Sequence, residues 1–189
     1  MKKIVVFASG SGSNAERIAT YFTEKGSAKV SLILCNNPQA GVLARAKRLE
    51  IPSLVFDRKA FYKTNVVLDV LATQQPDLIV LAGFLWKVPE NLIAAYPNRI
   101  LNIHPSLLPK YGGKGMYGAH VHQAVVANGE KESGITIHFV NEHYDEGNIL
   151  FQAKTEVLPT DTADTLAEKI HLLEYEHFPK VIEEWLKTC

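Results

Sequence analysis

The sequence predicts an α/β protein: a single doubly wound, mostly parallel sheet with helices on both faces and an antiparallel addition in the C-terminal half. Three observations predict it. Short β-branched runs alternate with stretches of helical periodicity from the N-terminus to about residue 103. The first run ends in a glycine-rich turn, Ser9-Gly10-Ser11-Gly12-Ser13-Asn14. Past a Pro-, Gly- and Lys-rich stretch at 105–117, the pattern changes to two longer strand-like runs. Repeated β-α-β units need right-handed crossovers and give a parallel sheet covered on both faces.

Ile4 to Ala8 reads as a buried strand, followed by a helix over Asn14 to Phe22 with Ala15, Ile18, Ala19 and Phe22 at helical spacing. Val30 to Leu34 is a second strand. Asn37-Pro38 is expected to cap and open the next helix, on which Val42, Ala46 and Leu49 share a face. Ser53 to Phe56 is a short strand, and Val67, Val70 and Leu71 mark a further helix. Leu78 to Ala82 reads as a central strand, Pro89 to Ala95 as a short helix, and Ile100 to Ile103 as a strand. Residues 105–117 form a loop, and Ala119 to Ala127 a helix. Ile135 to Val140 and Ile149 to Val157 are the two longer strands. Asp161 or Thr162 caps a last helix reaching Trp185, with Leu166, Ile170 and Leu173 inward, and Pro179 is expected to bend or break it. With no repeat, low-complexity tract or linker, residues 1–189 are expected to form a single domain.

Composition narrows the function. Apolar residues make up 47% of the 189 positions, enough for a sizeable core. Lys plus Arg and Asp plus Glu are 20 each, so the balance argues against nucleic-acid or anionic-membrane partners. No apolar run approaches the roughly 20 residues that span a bilayer. The opening Met1-Lys2-Lys3 and its apolar run fit a buried first strand better than a signal peptide, because the run leads straight into the glycine-rich turn. Cys35 and Cys189 make no disulfide framework, and a cytoplasmic protein is expected.

In such sheets ligands bind beyond the carboxyl ends of the strands. Four polar segments should gather there: Ser9–Asn14, Gly83–Lys87, Asn102–Ser106 and Asn141–Gly147. The first offers glycine turns and the N–H groups of a helix start, which suit a phosphate as well as a plain tight turn. It is neither a dinucleotide fingerprint nor a P-loop. In Leu101-Asn102-Ile103-His104, strand alternation puts Asn102 and His104 on one face, about 6.5–7 Å apart. An amide donor beside an imidazole suits acyl transfer, in which an oxygen becomes negative and a proton moves. A capped strand end with a structural histidine remains the alternative. The acidic turn Asn141–Gly147 reads as a solvated hairpin unless the fold carries Asp145 to His104. Gly83–Val88 offers aromatic and apolar residues that either wall a pocket for a flat heterocycle or finish the core. His120 and His122 are two apart at a helix start and point apart, so no metal is expected.

Together, in this order and spacing, the segments ASGSGSN, LAGF, NIHPSLLPKY and HFVNEHYDEGNILFQAKTEV resemble the folate-dependent glycinamide ribonucleotide formyltransferases, over essentially the whole length. The resemblance implies a Rossmann-like formyltransferase fold and transfer of a formyl group from 10-formyltetrahydrofolate to the amine of glycinamide ribonucleotide, without a metal. It implies that Asn102 holds the formyl oxygen, that His104 is the general acid, and that Asp145 orients His104 and keeps it charged. It places the acceptor phosphate on Ser11, Gly12, Ser13 and Asn14, and the acceptor amine and ribose near His171 and Glu174. Folate contacts fall on Leu85, Trp86, Lys87 and Val88, with Asn102 beside them and Asn141, Glu142, His143 and Tyr144 around the pteridine. Two departures stand out. The segment Gly112-Gly113-Lys114-Gly115-Met116-Tyr117 intervenes before Gly118 and reads as carrying a five-residue insertion, and Lys63 stands where the family often has an arginine.

Related formyltransferases that act on tRNA add an RNA-binding domain, and formyltetrahydrofolate hydrolases a regulatory one. Neither is expected in 189 residues. A nucleotide-sugar formyltransferase using the same Asn, His and Asp, and a non-catalytic Rossmann-like nucleotide-binding module, stay open as alternatives. The oligomeric expectation is a monomer or homodimer.

Overall fold

The computed structural model describes residues 1–188. Cys189 lies outside the described residues. Seven strands form one sheet: β1 (Lys2–Ala8), β2 (Ala28–Cys35), β3 (Ser53–Val55), β4 (Leu78–Leu81), β5 (Ile100–His104), β6 (Glu132–Phe139) and β7 (Ile149–Glu156). The order is β3-β2-β1-β4-β5-β6-β7. The first five strands are mutually parallel, and β6 and β7 extend the sheet antiparallel. This is the doubly wound sheet with an antiparallel addition that the sequence predicts.

Period-two alternation divides the core. Ile4, Val6 and Ala8 face one side of the sheet, while Val5 and Phe7 face the other. The first side is covered by α1 (Ser13–Lys25), α2 (Gly41–Arg48), α6 (Ala119–Ala127) and α7 (Ala163–Leu186), through side chains such as Ile18, Phe22, Val42, Val121 and Ile170. The second is covered by α3 (Arg58–Tyr62), α4 (Val66–Gln74) and α5 (Glu90–Ala95), through Phe61, Leu71 and Leu92. Along β2 the parity changes: Ala28 and Val30 join the first core, and so do Ile33 and Cys35. A register shift against β1 between Ile4 and Val5 leaves Ser31 as the extra residue.

Two local expectations need correction. Asn37-Pro38 does not open α2, whose N-cap is Ala40. The Asn37 side chain accepts from the Gln39 N–H at 2.9 Å, and its carbonyl accepts from the Ala40 N–H at 3.1 Å. Asn37 therefore shapes the turn over 37–40 that leads into the helix, the usual competitor of a cap. Pro179 does not break the last helix, which runs unbroken over 24 residues with Pro179 buried. A proline has no N–H for the carbonyl four residues back, here that of Tyr175. Arg17 on α1 donates its Nε–H to that carbonyl at 3.1 Å. A neighbouring helix thus satisfies the group that the proline orphans. Thr162 is the N-cap, in a reciprocal capping box with Thr165. The five-residue helix α3 was not anticipated; Asp57 caps it by accepting from the Ala60 N–H at 2.7 Å. Among the described residues no helix is long and apolar enough to cross a membrane.

Candidate active site

The four polar segments do gather at the carboxyl edge of the sheet. Gly10–Asn14, Ala82–Leu85, Asn102–Pro105 and Tyr144-Asp145 line one cavity of about 580 Å³. Gly113–Gly118, His122, His171 and Glu174 close it. A smaller cavity of about 70 Å³ adjoins it, lined by Leu85, Trp86, Lys87, Val88, Asn102, Asn141, His143 and Tyr144.

One end of the large cavity is a helix start. Gly12, the N-cap of α1, adopts a left-handed φ of 77° and supplies no side chain, so the N–H groups of the first turn meet no capping side chain. The reason for glycine here is packing as well as φ. A Cβ would lie 2.4 Å from Val42 Cγ2. Glu174 stands beside this loop, on α7. It is 6% exposed and accepts from Asn14 Nδ2 at 2.8 Å and from His171 Nδ1 at 3.0 Å. The solvated helix face that is the ordinary fate of a glutamate does not describe it. The hydrogen bond from His171 to this carboxylate raises the His171 pKa above its ordinary value, against partial burial.

The centre is built on β5 and β6. Antiparallel register sets Asn102 opposite His138 and His104 opposite Thr136. His138 Nδ1 donates to the Phe139 carbonyl at 2.8 Å, which leaves Nε2 to accept from Asn102 Nδ2 at 3.1 Å. That contact fixes which way the Asn102 amide faces and leaves its second N–H free. His104 is 4% exposed. Its Nε2 donates to the Tyr111 carbonyl at 2.7 Å, and its Nδ1 lies 3.5 Å from Asp145 Oδ2. Asp145 comes from the turn after β6 at a left-handed φ of 55°, with Oδ1 3.6 Å from His138 Nε2. It also accepts from the Gly113 N–H at 3.0 Å. Gly147 permits this turn, since a Cβ there would sit 1.6 Å from the Phe139 carbonyl oxygen.

The electrostatics of the pair differ from expectation. Burial pushes the His104 pKa below its ordinary value, and Asp145 and the Tyr111 carbonyl oppose that without cancelling it. That direction runs against the charged state that the resemblance implies for His104. With Nε2–H donated to the Tyr111 carbonyl, the neutral ring carries its lone pair on Nδ1. Burial alone would raise Asp145, but His138, His104 and the Gly113 N–H outweigh it and hold its carboxyl below the usual range.

The other end is aromatic. Phe84 and Trp86 pack with Phe61, at 5.5 and 6.0 Å between centroids, and Arg58 lies over the Trp86 ring. Lys87 Nζ is 5.8 Å from the Tyr144 ring centroid. Two sequence-chosen residues stay out. Lys63 is exposed at the C-cap of α3 and lines neither cavity, and Glu142 is exposed on the 141–147 turn and lines neither. Sequence reasoning missed His138, Tyr111, Gly113 and His122. A signal existed for His138: Thr136 and His138 are polar at alternate positions among Ile135, Ile137 and Phe139, in register with Asn102 and His104. His122 was set aside as a helix-start histidine, yet it is buried in the cavity wall with Nδ1 unpaired.

A doubly wound sheet whose edge presents an amide donor, an imidazole and a carboxylate in one cleft defines a group-transfer enzyme of the acyl type. The chain belongs to the formyl transferase family, which matches residues 2–182. It is 40% identical over 191 residues to the phosphoribosylglycinamide formyltransferase of Bacillus subtilis, covering 98% of this chain and 95% of that one. It is also 40% identical over 196 residues to the chloroplastic phosphoribosylglycinamide formyltransferase of Arabidopsis thaliana, covering 98% of this chain and 67% of that protein. The crystal structure of the Bacillus halodurans phosphoribosylglycinamide formyltransferase superposes with a TM-score of 0.88 at 36% identity, over 98% of this chain and 95% of that one.

Proposed function

We propose that residues 1–189 act as one formyltransferase domain, moving the formyl group of 10-formyltetrahydrofolate onto the amine of glycinamide ribonucleotide and releasing formylglycinamide ribonucleotide and tetrahydrofolate. The observation that carries the reading is the cross-strand set in the cavity: Asn102 with a free N–H, and His104 with Nδ1 facing Asp145 at 3.5 Å. The acceptor's phosphate sits on Ser11–Asn14, its amine and ribose beside Glu174 and His171, and the folate between Leu85–Val88 and the turn around Asn141 and Tyr144.

The neutral amine attacks the formyl carbon, and the carbonyl oxygen becomes an oxyanion. Asn102 donates to it; one such donor is typically worth roughly 2.7–4 kcal/mol. The attacking nitrogen, now cationic, gives its proton to His104 Nδ1, and Asp145 stabilises the imidazolium formed. His104 then passes that proton to the folate nitrogen as the carbon–nitrogen bond to the donor breaks. The Tyr111 carbonyl keeps Nε2 protonated throughout, so Nδ1 is the atom that exchanges the proton. No side chain is formylated. Mixing the purified protein with 10-formyltetrahydrofolate and glycinamide ribonucleotide, and following loss of the formyl-folate, tests the proposal. Turnover that needs the amine supports it. Loss of formyl-folate without an amine would make the protein a hydrolase, and ligand binding with no turnover would make it a nucleotide-binding module.

A further inference from the structure

The anion end of the cavity has a charge problem. Asp145 and Glu174 are both in the cavity wall, Glu174 already paired with His171 at 3.0 Å, and a phosphate dianion would join them. Helix N–H groups attract an anion, but they carry only about half a positive charge. The cations nearest the glycine loop are already engaged. Arg45 donates to the Ser11 carbonyl at 2.8 Å and pairs with Glu16, which Arg48 also meets. Arg17 is held by the Tyr175 carbonyl.

Among the described residues, Lys114 is the one lysine or arginine in the wall of the large cavity, and it makes no ion pair or hydrogen bond there. Its position is built. Gly113 and Gly115 flank it at φ of 90° and 88°, a backbone region that favours glycine. The Gly113 N–H is fixed to Asp145 at 3.0 Å, and the Gly113 carbonyl accepts from the Met116 N–H at 3.1 Å. An independent feature marks the same cavity as a place for a ligand: His122, 4% exposed, with Nδ1 unpaired. A buried polar atom without a partner is rare unless a ligand or water completes it.

We infer that Lys114, carried over the cavity by the glycine-rich segment 112–118, is a specificity-determining residue that clamps the acceptor's phosphate against the Ser11–Asn14 loop. The inference rests on the proposed formyl transfer and adds a residue to it. It makes the enzyme selective for phosphorylated acceptors, because the clamp has nothing to bind in an acceptor lacking phosphate.

The test compares wild type, Lys114→Met and Lys114→Arg, each with glycinamide ribonucleotide and with its dephosphorylated riboside. For Lys114→Met the KM for the ribonucleotide rises about tenfold, the low end for a charged hydrogen bond because the side chain is exposed. The KM for formyl-folate and the rate with the riboside stay put, and arginine restores most of the loss. A readout free of turnover is protection of the folded state by inorganic phosphate, read as a rise in melting temperature. It shrinks in Lys114→Met. An unchanged ribonucleotide KM, an equal loss with the riboside, or a shift confined to the formyl-folate KM overturns the clamp while leaving formyl transfer intact. Wild-type protein that never formylates the ribonucleotide overturns both.

Discussion

The two ends of the cleft are built differently. At the end proposed for the acceptor, segments 160 residues apart are joined by hydrogen bonds to one buried carboxylate, Asn14 and His171 converging on Glu174. At the donor end, side chains from α3 and the loop after β4 meet through ring packing, in the cluster of Phe61, Tyr62, Phe84 and Trp86. A hydrogen-bonded site fails steeply when one partner is removed, because the others are left buried and unpaired. A packed aromatic wall loses contact area and can partly close over the gap. The acceptor end should therefore be exacting and the donor end tolerant, with the proton-handling centre common to both.

The centre gives the largest expected effect and the reference for the ends. Asp145→Asn keeps the shape and removes the charge. It should lower kcat by roughly 10²–10⁴-fold, the range for general acid–base catalysis, with little change in either KM. The same variant should lower the His104 pKa further, since Asp145 is what opposes the effect of burial. NMR titration of the His104 ring checks the sign. A raised ring pKa, or near-normal kcat, would break the assignment of Asp145 as the group that stabilises the imidazolium.

At the acceptor end, Glu174→Gln keeps the volume and loses the charge received by Asn14 and His171. The expected rise in acceptor KM is roughly 10–100-fold, the equivalent of a charged hydrogen bond, with formyl-folate KM unchanged. Equal losses for both substrates would mean that Glu174 serves the fold instead. Gly12 is a poor place to make this test. A side chain there meets Val42 before it meets any ligand, so Gly12→Val should unfold or distort the loop.

At the donor end, Trp86→Ala should raise the formyl-folate KM by less than Glu174→Gln raises that of the acceptor, on the order of a few-fold to tenfold for a partly exposed aromatic. It should also reduce the rise in melting temperature given by an antifolate that carries the pteridine ring. A larger loss at Trp86 than at Glu174 would reverse the contrast between exacting and tolerant ends.

These contrasts bear on how far the sequence can be read. Apolar runs and helical spacing gave the parallel core, because the run Ile4–Ala8 and the same-face pair Ile18 and Phe22 are buried, and residue type reports burial. Asn102 and His104 were legible for the same reason: two polar side chains two apart on a strand share a face. What completes them comes from backbone. The Tyr111 carbonyl and the Gly113 N–H hold His104 and Asp145, and any residue type has a carbonyl and nearly any an N–H. That Pro179 does not break its helix was hidden by the same limit, since its consequence depends on whether an Arg17 stands on a neighbouring helix. Lys63 and Glu142 were chosen by alignment to a pattern, and exposure took both out of the cavity walls.

The smallest effect distinguishes the centre from the acceptor end through two histidines shifted in opposite directions. His104 is lowered by burial, so in the unfolded chain it takes up a proton near its ordinary pKa of about 6.5 that the folded protein refuses. Acidification from pH 7.5 to 5.5 therefore destabilises the fold through His104. His171 is raised by its bond to Glu174, so the folded protein binds the proton first. Its contribution is fully present below about 6.5 and is lost as pH rises through the folded value. In wild type the two oppose each other. His104→Gln should lose less melting temperature between pH 7.5 and 5.5 than wild type, and His171→Gln should lose more. Half of the His171 side chain is exposed, so solvent screens its share and the His104 change should be the larger. Parallel melting curves for the three proteins would show that neither proton is linked to folding in the direction assigned, and would remove the distinction between a histidine that burial drives toward its neutral form and one that Glu174 draws toward its charged form.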